Sequence, residues 1–486
     1  MKITVSLRIC SFLLLISICI LSFVGCGVKI EFNLPITDTV TTMAESEPII
    51  QRIAMESANY KITQSMMQYA TMNTYRNFVN IYSDMIHYLG IDTTKSLASQ
   101  TYGDGTWLDF FKESATSSLE SNLVYAEAAK VAGITLDEED INEINNSIAA
   151  FKDEANLNGF TETSYLSAFF GDDVSMNDVR TFYELVTISN KYETAIKDEI
   201  TNSITIDDIE KYYNENIDLF TYSDIIVYTE SYDSQNCPKA MFEAKFDKIC
   251  SATSENEFVR ELDSYLRSNE NLDSSYEYKT IDMDYIDSYP IAEWVFERYD
   301  ANYSRRYGEI GKIFTDDNEL QIAFIVRSPY RDESPTKNVG HILFSYDQYD
   351  TADAALDMAE NIHAKYLSGE KTRDSFEALG QEYTDDTAVF YNNVYKGQMV
   401  ENFENWLFDP NRKIGDTGIV ETEYGYHIMY FDGEVLTKWQ ADCHEGIFRD
   451  RFDKKYNEFY EAYPITIHDG VISEITDMKK DPWYNK

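Results

Sequence analysis

The sequence predicts an α+β chain of several domains, and three observations carry that reading. Its 486 residues, 43% of them hydrophobic, suffice for about three cores. Apolar positions recur at helical period from about Ser57 to Asn216. Further on, short apolar runs alternate with a period of two, as in Val339-Gly340-His341-Ile342-Leu343-Phe344 and Tyr424-Gly425-Tyr426-His427-Ile428-Met429-Tyr430, which read as strands.

At the amino terminus, Lys2 and Arg8 precede an apolar run from Ile9 to Gly25, so residues 1–25 read as a signal peptide. The run closes on Phe23-Val24-Gly25-Cys26, which resembles a bacterial lipobox with phenylalanine where leucine is usual. That resemblance implies lipidation of Cys26 and a membrane anchor. An uncleaved anchor, since a bilayer takes roughly 20 apolar residues, and ordinary cleavage are the alternatives; all three export the chain. Residues 26–56 read as a linker.

Residues 57–219 read as a helical domain with legible caps. Thr106 starts the helix Trp107-Leu108-Asp109-Phe110-Phe111, Gly133 ends it, and Thr135-Leu136-Asp137-Glu138 reads as a capping box for the next. Thr205-Ile206-Asp207-Asp208 opens another. Residues 220–335 echo the segment that follows them: Ala292-Glu293-Trp294-Val295-Phe296 against Glu404-Asn405-Trp406-Leu407-Phe408, each before a glycine-containing turn and a closing strand. In the closing strand Leu320 to Val326, Gln321 falls near the place of His427. By the same reading Asp224 falls near His341, and Asp287 and Ile291 near Met399 and Phe403.

Residues 336–435 hold the two strand histidines, with Gly397-Gln398-Met399-Val400-Glu401-Asn402-Phe403-Glu404 between them. Each histidine lies on one sheet face, His341 with Val339 and Leu343, His427 with Gly425 and Met429. These blocks resemble the parvulin family of peptidyl-prolyl isomerases, whose domains open on His-Ile-Leu, carry Gly-Gln-Met-Val then Phe-Glu, and close on Thr-x-x-Gly-x-His-Ile. The resemblance implies a four-stranded antiparallel sheet with flanking helices and an enzyme that isomerises X-Pro bonds. It places catalytic roles on His341, Asp386, Thr422 and His427, and proline binding on Met399 and Phe403. One departure stands out. Where the family has a glycine-rich turn, this chain has Phe390-Tyr391-Asn392-Asn393-Val394-Tyr395, so the strand entry must be built differently and Tyr391 takes the pocket position of a leucine.

Seen this way, residues 220–335 are a degenerate parvulin-like domain without the active constellation, read as a second client-binding or spacing module. Helices that lead through Tyr212-Tyr213-Asn214-Glu215-Asn216 into such domains look like the chaperone region of PrsA-type and SurA-like foldases. Residues 436–486, with Trp439, Phe448, Phe452, Tyr456 and Phe459 at helical spacing, read as an extension that packs on the amino-terminal helices. The expected partners are unfolded or partly folded exported polypeptides and, through the lipid anchor, the membrane. A binding chaperone without catalysis and a structural surface scaffold are the competing readings.

Composition narrows the partners. With 41 basic against 85 acidic residues the net charge is −44, which excludes nucleic acid. It reads as a heavily solvated surface, or as an attractor of basic clients. The loop from Ser345 to Asp353 carries Asp347, Asp350 and Asp353 and no Lys or Arg, so selectivity for phosphoserine-proline is not expected. No EF-hand loop and no metal-ligand cysteine spacing occur, and isomerisation needs no cofactor. Cys10 and Cys19 lie in the signal. Cys237, Cys250 and Cys443 read as free buried thiols, with a Cys237–Cys250 pair as the alternative.

Overall fold

The computed structural model describes residues 52–82, 85–217, 219–232, 236–269, 275–281, 290–297, 305–315 and 318–477. The signal segment with Cys10, Cys19 and Cys26, the linker up to residue 51, Asp287 and residues 478–486 lie outside the described residues. The described residues form two compact units, one within residues 52–203 and 450–477, the other within residues 204–449.

The first unit is mainly helical, with helices Gln64–Ile81, Trp107–Ala132, Glu138–Leu157, Glu162–Phe169 and Met176–Ser203. Helix Trp107–Ala132 starts where Thr106 and Asp109 cap each other's backbone N–H, and ends where Gly133 turns left-handed at φ 75°. Two expectations need correction here. The helical pattern starts at Gln64 and not Ser57, because residues 53–56 and 61–63 are strands of a small sheet completed by Thr466–Ile467. The next helix is capped by Asp137 and not Thr135: the Asp137 carboxylate accepts from the N–H of both Glu139 and Asp140. Residues 134–136 complete the turn after Gly133, with Ile134 N–H donating to Ala129 O at 2.9 Å. From Asp450 onward the chain returns to this unit, where the Tyr456 and Phe459 rings lie 6.0 and 6.2 Å from that of Tyr125. No helix among the described residues is long and apolar enough to cross a membrane.

The second unit holds two four-stranded antiparallel sheets of one topology. In chain order one sheet has strands Tyr222–Ser231, Tyr276–Ile281, Ile310–Phe314 and Glu319–Tyr330; the other has Lys337–Ser345, Phe390–Val394, Thr417–Thr422 and Gly425–Gly433. In each, the first and last strands pair at the centre while the second and third form the edges. Alternation splits each sheet into two cores. Ile342, Phe344, Ile428 and Tyr430 face the helices Ala352–Ser368 and Arg373–Tyr383, whereas Val339, Met429 and Phe431 face the short helix Glu401–Leu407. The upstream sheet repeats this, with Ile225, Ala323 and Ile325 against helix Pro290–Phe296.

The likeness extends to side chains. Arg412 Nε donates to Trp406 O at 2.9 Å and its guanidinium lies 3.9 Å from the Trp406 ring; Arg305 does the same to Trp294, at 2.8 and 4.6 Å. Each tryptophan also fills the space beside an edge-strand glycine, Gly418 for Trp406 and Gly311 for Trp294. With these anchors superposed, Ile291 takes the place of Phe403. Ile313 pairs with Gln321 as Val420 pairs with His427, so Gln321 takes the place of His427. The expected equivalence of Asp224 with His341 does not hold. Gln321 lies opposite Thr229 as His427 lies opposite Leu343, which puts Val227 where His341 stands. Register shifts on both sides of Asp224 change the parity of the strand, and Asp224 instead accepts from the hydroxyls of Thr280 and Tyr330.

The cysteines of this unit are free. Cys443 is buried, but Cys237 and Cys250, expected to be buried, are only half-buried at the rim of the core beneath helix Glu255–Ser268.

Candidate active site

The sheet with the histidines sets the geometry of the site. His341 lies opposite Met429 and His427 opposite Leu343, so the two histidines are diagonal neighbours on one face. Their rings stack at 25° with centroids 5.3 Å apart, and their Nδ1 atoms are 3.1 Å apart. Both are buried, at 2% and 5% exposure. The hairpin Thr422↔Gly425 brings the Thr422 hydroxyl 2.9 Å from His427 Nε2. On the other side, Asp386 Oδ2 stands 3.4 Å from His341 Nε2. All four residues expected to be catalytic therefore meet.

One hydrogen bond joins the two imidazoles: a neutral ring carries a single N–H, so one Nδ1 donates and the other accepts, and the Thr422 hydroxyl stands within hydrogen-bond distance of His427 Nε2. The contact to Asp386 is loose: at 3.4 Å, His341 Nε2 makes no well-formed hydrogen bond. Burial is the main cause of the electrostatics. It holds the His427 imidazole down at about 4, with His341 adding to the effect and Asp386 opposing it. Burial also lowers His341, again against Asp386. Both rings are neutral at pH 7.

The apolar wall comes from helix Glu401–Leu407 and the segment before it. Phe403, 3% exposed, presents its ring edge-on to both imidazoles at 5.5 and 5.6 Å, with interplanar angles of 81° and 88°. Half-buried Met399 and Tyr391 pack on the same core, and the Tyr391 ring lies 5.2 Å from that of His341. Asn402 Nδ2 donates to Glu421 O at 2.9 Å and ties this helix to the hairpin. The unusual strand entry is solved by asparagine. Asn393 adopts the left-handed conformation at φ 56° and its N–H donates to Asn338 Oδ1 at 2.9 Å. Cys26 lies outside the described residues.

One positioning residue escaped the sequence reading. The Thr384 hydroxyl accepts from the backbone N–H of Leu343 at 3.0 Å and of Asp386 at 3.2 Å, pinning the loop that carries Asp386 against the central strand. Its only signal is its place just after helix Arg373–Tyr383, where a threonine is ordinary. Among the described residues no cluster of His, Cys, Asp or Glu could hold a metal ion.

Residues 341–433 match the Rotamase family, described as the PPIC-type PPIASE domain. No curated relative matches the chain. Among solved structures, PrsA from Bacillus subtilis is 15% identical, with 79% of this chain and 91% of that chain covered and a TM-score of 0.23. The peptidylprolyl isomerase PrsA from Bacillus anthracis is 12% identical over 71% and 94%, TM-score 0.18. A structure from the Campylobacter jejuni pair PEB4 and Cj1289, described as SurA-like chaperones, is 20% identical over 26% and 53%, TM-score 0.16. At such scores these likenesses add nothing to the interpretation of the present chain. The family match, by contrast, begins at one of the paired histidines and ends on the strand that carries the other, so this part of the chain is a PPIC-type peptidyl-prolyl isomerase domain of the parvulin type.

Proposed function

We propose that the chain is an exported foldase in which this domain catalyses cis–trans isomerisation of X-Pro bonds in unfolded or partly folded exported proteins. The observation that carries the reading is the buried pair of neutral histidines with Phe403 edge-on against both. Isomerisation must overcome about 18–20 kcal/mol of amide resonance and takes roughly 10–100 s unaided. It needs no nucleophile, metal or cofactor. Phe403 and Met399 offer an apolar seat for the pyrrolidine ring. A water-poor surface disfavours the charge-separated planar amide relative to the twisted transition state. Thr422, His427 and His341 act as a fixed hydrogen-bonded floor beneath that seat, with the Asp386 carboxyl beside it, and transfer no proton.

The exchange rate of an X-Pro peptide with and without the chain tests this. Replacing both His341 and His427 by alanine should lower kcat/KM at least tenfold, the equivalent of about 1.4 kcal/mol. Unchanged turnover in the double variant would leave the domain as a peptide grip.

The acidic loop makes a second expectation. A phosphoserine brings roughly −1.5 to −2 charges toward Asp347, Asp350 and Asp353, with no Lys or Arg in the loop to receive them. A phosphoserine-proline peptide should turn over at least fivefold more slowly than its serine-proline parent. Faster turnover would refute this account of selectivity.

Holding activity belongs, in this proposal, to the helical unit. That unit has a cavity of about 480 Å³ lined by apolar Ile62, Met66, Leu136, Leu185 and Ile188, with Lys61 and Lys130 beside them, a chemistry suited to apolar client segments. Suppressed aggregation of a client whose folding does not depend on proline would support it. The signal segment and Cys26 are the grounds for proposing export and a lipid anchor, which mass spectrometry of the membrane fraction tests.

A further inference from the structure

The upstream sheet keeps the architecture of the isomerase site while its chemistry differs. The superposed anchors put Val227 at the position of His341, Gln321 at that of His427 and Ile291 at that of Phe403. Thr315, two residues past Ile313 as Thr422 is past Val420, repeats the hairpin threonine. On this face a groove of about 230 Å³ is lined by Val227, Thr229, Lys279, Ile291 and Gln321 among others. Without facing imidazoles the floor cannot be the one proposed for isomerisation.

Gln321 is the feature that needs explaining. It is 7% exposed, lines the groove, and its Oε1 has no hydrogen-bond partner among the described residues. A buried acceptor left unpaired is costly, and native structures rarely leave one so. At the equivalent position His427 is fully engaged, by His341 and Thr422. In the upstream copy the diagonal position of His341 holds Val227, whose methyls offer nothing to bond, and Thr229, directly opposite, does not bond this oxygen either. The free acceptor therefore points to a donor that arrives with a ligand. An extended chain carries one such donor, its backbone N–H, at every non-prolyl residue, which makes a peptide N–H the natural one. Proline has no such N–H, so the occupant at this point is not an X-Pro segment.

We propose that this groove is a second, non-isomerising peptide site that takes an extended, proline-free segment of an unfolded chain, with a backbone N–H of that segment donating to Gln321 Oε1. It is distinct from the isomerase site and stands whether or not that site turns over. The two would divide a client between them, prolyl positions at one sheet and non-prolyl positions at the other.

The test uses the full chain and a fluorescent proline-free nonapeptide with a central valine, together with a series in which each peptide N–H in turn is replaced by an ester oxygen. Anisotropy titrations should show one ester position binding about tenfold more weakly than the parent. Gln321→Met, which keeps the volume and removes the acceptor, should weaken the parent about tenfold and abolish that ester penalty, while turnover of an X-Pro peptide stays within twofold of wild type. The His341→Ala/His427→Ala variant should bind the parent unchanged. The proposal is overturned if no ester position costs more than twofold, the result expected if water satisfies Gln321. It is equally overturned if the ester penalty persists in Gln321→Met, or if binding is lost in the double histidine variant, which would place the peptide in the isomerase pocket. The ester series on the wild-type chain needs no variant to fold.

Discussion

Gly425→Ala should cost the isomerase domain about 3 kcal/mol or more, and should abolish turnover with it. Gly425 sits at φ +148°, and a Cβ there would lie 2.1 Å from the carbonyl oxygen of Phe344 and 3.0 Å from the Cα of Ser345. Both obstacles are backbone of the central strand, to which Gly425 is paired, and neither can swing aside as a side chain would. Relief requires the two central strands to separate where the hairpin from Thr422 turns back. His427 follows two residues later, so the displacement would also break its contacts with Thr422 and His341. Gly433 provides the contrast. It too has a positive φ, +109°, but its Cβ would meet only the side chain of Ile414, at 3.2 Å. Gly433→Ala should therefore cost only the backbone strain, about 1–3 kcal/mol. Thermal unfolding followed by a probe within this domain should show a drop of more than about 10 °C for Gly425→Ala. A drop no larger than that of Gly433→Ala would mean that the strands give way easily.

Much of the site was legible because its chemistry is carried by short strands whose pattern is local. Period two placed each histidine on a face, and the resemblance named Asp386, Thr422, Met399 and Phe403, all of which the fold brings to that face. What stayed hidden depends on pairing across distance. Asp224 was matched to His341 by position along the strand, but two register shifts beside it, invisible in the sequence, moved Val227 there instead. The strand at residues 53–56 read as linker and that at 61–63 as the start of a helical region, because the sheet that defines both is completed by residues 466–467. Thr135 lost to Asp137 for a subtler reason: the chain needs the residues after Gly133 to finish one helix before it starts another, and spacing alone does not show that. The exposed polar face of the sequence gave no hint that Asn393 would replace a glycine. Asparagine tolerates the left-handed region well enough to rebuild the strand entry without one.

The neutrality of the histidine pair is the property with the widest consequences, and it makes stability depend on pH. In the unfolded chain an imidazole takes up its proton near 6.5; in the folded domain burial holds His427 down at about 4. Between those values the unfolded state binds a proton that the folded state refuses, so stability is full above about pH 6.5 and falls as the pH drops toward 4. The loss from His427 alone is about 3 kcal/mol, and His341, lowered for the same reason, adds in the same direction. His427→Gln, the residue the upstream copy carries at this place, should flatten that dependence. The check is twofold. Nuclear magnetic resonance of the labelled imidazoles should find His427 still neutral at pH 5, and denaturation at pH 7 and pH 4.5 should show a smaller acid loss in the glutamine variant than in wild type. Turnover supplies the mechanistic half of the test. If the histidines only shape the floor, kcat/KM stays flat from pH 8 to about 5.5, as long as the domain is folded. A limb near pH 6.5, together with an imidazole that titrates there, would mean that a histidine exchanges its proton during the reaction, and the static hydrogen-bonded floor would have to be abandoned.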